Sequence, residues 1–198
     1  MNEETINEAF SILKSYAYLG EEKHDDGTLL FAKAPHIAPQ AWLHCIYAPL
    51  NDKDIHVLEK ETGQEVPNAY KNFLKISNGL SVFNTALSLF GKRGNYKHLV
   101  DAVWQPFDLG LPNTYEKPSN ANDNIFIIGC YDWDGSYLYM DKSDDSVHLC
   151  KTDDIKSLYE WKSFENMLYS EIQRLVELFD NEGQEKDSNK STLPFVEE

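Results

Sequence analysis

The sequence predicts one α+β domain over residues 1–180, with a mainly antiparallel sheet of five to six strands and about four flanking helices. Three observations carry this expectation. Apolar residues recur at helical spacing near both ends of the chain, at Ile6, Ala9, Phe10, Leu13 and Ala17 and again from Phe164 to Phe179. The run Ile125-Phe126-Ile127-Ile128-Gly129 is continuously apolar, as expected of a central strand covered on both faces. Two short apolar segments, 136–140 and 146–150, bracket a polar stretch and read as an antiparallel hairpin. At 198 residues and 41% hydrophobic content, the chain has the size and composition of one well-filled core.

Each element follows in order. Residues 3–19 read as an amphipathic helix closed by Gly20, and 21–27 as a polar turn. Residues 28–32 and 41–47 read as strands separated by Pro35 and Pro39. Asn51 or Asp52 can cap a helix through Thr62, with Gly63 ending it. Pro67 suits a helix start, because its missing N–H would be unbonded there. Tyr70, Phe73 and Leu74 share one face of that helix, Gly79 ends it, and a strand follows at 87–90. Residues 91–122, rich in Gly and Pro, read as loop with a short element at 97–104. Ser163 caps a final helix whose stripe has one polar member, Glu171. From Asn181 to 198 the composition turns polar, and a disordered tail is expected.

Charge is unevenly spread. Residues 1–100 hold 12 acids and 10 bases, whereas residues 101–198 hold 21 acids and 8 bases, a net of −13 out of −15. A field of this sign repels nucleic acid and anionic membranes and attracts basic partners, and it also serves plain solubility. No stretch approaches the roughly 20 apolar residues of a membrane span. Met1-Asn2-Glu3-Glu4 lacks the basic and apolar regions of a signal peptide. Cys45, Cys130 and Cys150 are odd in number and widely spaced, which fits buried free thiols in the cytoplasm.

Chemistry-bearing patterns are sparse. Asp132-x-Asp134-Gly135 has the opening of a calcium loop, but its twelfth position is Ser143 where a bidentate Glu is needed. Starting instead at Asp141, the sixth residue is Ser146 in place of Gly. The six histidines show neither zinc-site nor metalloprotease spacing. Gly91-Lys92-Arg93-Gly94 lacks the Gly-Lys-Ser/Thr ending of a phosphate loop. Neither a cofactor nor a metal nor a catalytic residue is expected. What remains is a recognition surface: Tyr131, Asp132, Trp133 and Asp134 set two aromatics among carboxylates, and Asp144 and Asp145 add charge. Packing of Trp133 into the core, with solvated acids around it, is the competing reading of the same residues. Trp42, Trp104 and Trp161 read as core or rim packing.

The order of motifs Pro67-x-x-Tyr70-x-x-Phe73-Leu74, Asn78-Gly79, Ile127-Ile128-Gly129, Asp132-Trp133-Asp134-Gly135 and Trp161-Lys162-Ser163-Phe164 resembles the SUKH superfamily over about residues 50–178. That superfamily groups bacterial toxin-immunity proteins with fungal cell-wall-assembly (glucan synthesis) regulators. The resemblance implies a non-catalytic binding protein, an immunity protein that blocks a toxin, often a nuclease or deaminase; the net charge of −13 over residues 101–198 and the Asp132–Asp134 cluster point to occlusion of the toxin's basic cleft as the means. A regulatory scaffold is the alternative that the resemblance implies. The expected partner is thus a protein, with no direct nucleic acid or membrane contact, and the chain is expected as a monomer or weak dimer.

Overall fold

The computed structural model describes residues 3–94 and 104–194. The chain opens with helix α1 (Glu3–Lys14), a 3-10 turn (Ser15–Leu19) and strands β1 (Glu21–Lys23), β2 (Leu29–Lys33) and β3 (Trp42–Ile46). Helices α2 (Asp52–Thr62) and α3 (Asn68–Leu74) interrupt the sheet, which resumes with β4 (Leu80–Val82) and β5 (Leu87–Leu89). Helix α4 (Gly110–Thr114) precedes β6 (Ile125–Tyr131), β7 (Tyr137–Asp141), β8 (Val147–Cys150), β9 (Tyr159–Trp161) and α5 (Phe164–Leu178). Every strand pairs antiparallel with the next, so the sheet order is the chain order.

The α+β class is confirmed, and the counts are corrected: nine strands stand among the described residues against five to six expected, and five α-helices against four. The additional strands β1, β4 and β9 have three residues each, too short to display a period of two. Strand β1 is exposed at all three residues and exists because its backbone pairs with β2, so the expected polar turn at 21–27 starts as a strand. Helix α4 contains Gly110 and Pro112, which argued for loop. It is held by Asn113, whose side chain donates to the carbonyls of Leu109 and Ile127 and accepts from Ile127 N at 2.8 Å. That side chain acts as a strand partner beside the irregularity between Ile127 and Gly129. The element expected at 97–104 falls, Trp104 apart, outside the described residues.

Helices α1, α3 and α5 bury their apolar stripes on one face of the sheet. Phe73 and Phe164 meet at 5.0 Å between ring centres and Tyr70 and Phe164 at 5.3 Å, which locks α3 against α5. Helix α2 starts where Asn51 accepts from Asp54 N, and it ends at Gly63 with φ +65°. Helix α5 starts where Ser163 accepts from Asn166 N. Ser163→Ala is expected to cost about 1 kcal/mol, visible as a shift in the urea midpoint without a change in slope.

The Asn-Gly pair has a structural role different from the one its position suggests. Helix α3 ends at Leu74 with Lys75 as its C-cap, so Gly79 does not close it. Instead Gly79, at φ +91°, enters β4 where a Cβ would lie 2.6 Å from Leu89 O. Asn78 clasps the backbone of Lys92, accepting from its N–H at 2.7 Å and donating to its carbonyl at 2.8 Å. The motif therefore ties the end of the α2–α3 excursion to the chain leaving β5.

The opposite sheet face carries a cross-strand row of Leu30, Cys45, Ser81, Ser88, Cys130, Tyr137 and Cys150. All three thiols are free, and burial pushes each up to about 12, so they stay protonated. Cys130 and Cys150 are two strands apart, roughly 10 Å, beyond disulfide reach.

Past α5 the chain turns back. Phe179 bridges to Glu185, Asn181 O accepts from the Tyr18 hydroxyl, and Thr192 and Leu193 are buried. Residues 181–194, polar in composition, thus form a strap on the domain.

Candidate functional site

Antiparallel order opens alternate connections at one end of the sheet, and three of them flank one groove. The β2–β3 connection, the β4–β5 turn and the β6–β7 turn all open there, since Leu87 pairs with Tyr131 and Lys33 with Trp42. The strap lies against the same end. Between them runs a groove of about 520 Å³, lined by His36 and Ile37, by Phe83, Asn84 and Ala86, by Asp132 and Trp133, by Phe179, and by the strap residues Gly183 to Glu185 and Thr192. A volume of this size falls within the usual range of binding clefts. Its charged lining residues are Asp132 and Glu185, with His36 as the titratable base.

The β4–β5 turn is an unusual element. Phe83, Asn84 and Thr85 have φ of +46°, +49° and +80°, a left-handed run without a glycine. Such backbone is costly, above all for a β-branched residue, and persists where the surroundings over-determine it. Here Asn84 N donates to Leu43 O at 2.8 Å, and the Phe83 ring stacks on Phe179 at 4.1 Å. Buried His44 supports the turn from below, its ring 4.7 Å from that of Phe83, with Nδ1 accepting from Phe83 N at 3.4 Å. Burial holds the His44 imidazole down at about 3, so it is neutral, and its Nε2–H has no hydrogen-bond partner among the described residues.

The six residues singled out from sequence do not form one surface. Trp133 is 45% exposed and, with Asp132, lines the groove. Tyr131 is fully buried, its hydroxyl donating to Glu171, so it faces inward and presents nothing to a partner. Asp134 is exposed but occupied: its carboxylate accepts from Ser136 N at 2.9 Å and from Ser136 Oγ at 2.7 Å. Asp144 holds Ser146 in the same way, and these bonds keep its carboxyl below the usual range. Asp144 and Asp145 sit in the β7–β8 turn, at the far end of β7 from Trp133, roughly 15 Å along five extended residues.

Asp26 and Thr28 repeat this geometry in the β1–β2 turn. Asp-Gly-Thr at 26–28, Asp-Gly-Ser at 134–136 and Asp-Asp-Ser at 144–146 are thus one device, with a positive φ at each central residue, Gly27, Gly135 and Asp145. Much of the acidity that reads as a docking face serves to fold hairpin turns.

Sequence reasoning missed His36, the 83–86 turn and the strap. Their separation along the chain leaves no spacing signal, and the one available hint was the pair Asn84-Thr85 between two strands.

Beneath the groove lies a buried polar network. Glu171, 3% exposed at its side chain, receives Arg174 Nη2 at 2.6 Å and Nε at 3.0 Å, along with the Tyr131 hydroxyl. Arg174 also donates to Thr192 O, which fastens the strap. The network thereby joins the residue preceding the Trp133 loop to the wall facing it.

Fold and groove define a small α+β domain that gathers loops at one end of a meandering sheet. The SMI1 / KNR4 family (SUKH-1) profile matches residues 49–170, and the chain belongs to that family. No curated protein matches it. The matched stretch runs from just before α2 into α5, so α1, β1–β3 and the strap lie outside it. Among the described residues no helix is long and apolar enough to cross a membrane.

Proposed function

We propose that this chain is a non-catalytic immunity protein of the cytoplasm that neutralises a toxin by covering its basic cleft with the groove end of the sheet. The observation that carries this reading is Trp133 standing exposed beside Asp132 in the groove of about 520 Å³, within a half-chain of net charge −13. An aromatic body excludes water at such a contact, and carboxylates complement the lysines and arginines with which a nuclease or deaminase grips phosphate. Family membership supports a SUKH-type binding protein and is equally compatible with a regulatory scaffold.

The test is a pull-down from the source cell, followed by growth rescue with the neighbouring gene expressed. Immunity requires rescue by the native chain. Asp132→Lys should weaken binding to the captured toxin by at least about tenfold and lose rescue, with no change in the thermal midpoint. Capture of signalling or biosynthetic proteins, with no rescue, would favour the scaffold.

A further inference from the structure

Two walls of the groove come from outside the family-matched stretch: His36 and Ile37 on one side, and the strap on the other. The strap adds a carboxylate to the groove, that of Glu185. It also adds Thr192, which is 4% exposed and lines the groove, and whose Oγ1 has no hydrogen-bond partner among the described residues. The groove thus combines an exposed indole, two carboxylates on different walls and a strained turn.

We propose that the groove receives an arginine side chain carried on a loop of the partner protein. Its guanidinium lies against Trp133 and donates to Asp132 and Glu185. This rests on the partner-binding reading above and names the chemistry of the contact. Arginine fits this set of groups better than lysine for three reasons. Its planar cation stacks on an indole, its five donors reach several acceptors at once, and it is more weakly hydrated, so it enters a partly apolar groove more readily. Because Glu185 belongs to the strap, the segment outside the matched stretch sets the preference.

The experiment uses the full chain, labelled with ¹⁵N, and the probe acetyl-Gly-Arg-Gly-amide, with the lysine and citrulline peptides as comparisons. Saturable shifts of the Trp133 indole N–H and the Gly183 amide are expected with the arginine peptide. The citrulline peptide, lacking the charge, should bind roughly tenfold more weakly or not at all, and the lysine peptide should be weaker than arginine. Glu185→Gln and Asp132→Asn, both at exposed carboxylates, should each reduce the arginine response while leaving the rest of the spectrum in place. Equal responses to the three peptides, or none at Trp133, would overturn the proposal. Toxin rescue scored on the same variants separates the two readings. Rescue lost on Asp132→Asn with no peptide response removes the arginine and keeps the docking face. A specific peptide response with rescue intact keeps the arginine site and removes the immunity reading.

Discussion

Arg174→Met should destabilise the protein by about 3 kcal/mol, because it strands the Glu171 carboxylate in the core with only the Tyr131 hydroxyl for company. Removing one member of a buried pair costs far more than the pair itself contributes, since the remaining charge keeps its full desolvation penalty. The double variant Glu171→Gln/Arg174→Met should therefore be more stable than the single one, the neutral amide still accepting from Tyr131. Urea unfolding of the two proteins checks this. A single-variant cost below about 1 kcal/mol, or a double variant worse than the single, would show the pair to be idle. The substitution should also loosen the strap, since Arg174 holds Thr192 O, and so raise amide exchange between residues 181 and 194.

Acid should weaken the fold through His44. Burial holds its folded value at about 3 while the unfolded chain titrates near 6.5. Below 6.5 the unfolded state therefore binds a proton that the folded state refuses. Stability attributable to this residue is complete above pH 6.5 and is lost as pH falls from 6.5 towards 3. Between pH 6.5 and 4.5 the loss amounts to about 3 kcal/mol, at 1.36 kcal/mol per unit. His44→Leu costs stability at pH 7, because Phe83 N loses its acceptor, but it should flatten the acid limb by about that amount. Urea midpoints of both proteins at pH 7 and 4.5 measure the difference, and parallel limbs would contradict the assignment. Because His44 sits under the 83–85 turn, the native groove should lose order on the same limb.

What could be read from the chain followed the reach of the interactions involved. Caps are local, so Asn51, Gly63 and Ser163 were found at the ends they occupy. Strand β6, covered on both faces, spelled itself as an apolar run. Strands β1 and β9 are stabilised by partners rather than by their own pattern, and α4 by Asn113 reaching β6, so nothing local announced them. The site was half legible for the same reason. Trp133 and Asp132 are adjacent and exposed, as an interface anchor requires, whereas the facing wall is about fifty residues away along the chain. Asp134 and Asp144 misled because a turn-folding carboxylate and a docking carboxylate have the same spelling.

The strand order has a consequence for how the molecule is made. Because each strand hydrogen-bonds to the one before it, most of the sheet can zip from neighbouring hairpins, and the loop-closing entropy of each step is small. Two steps are longer, the jump from β3 to β4 across α2 and α3 and the jump from β5 to β6 across residues 90–124. On a ribosome the growing chain can thread strand upon strand as it emerges. The groove, by contrast, cannot close with the sheet alone, since one of its walls is the strap, which follows all nine strands in the chain.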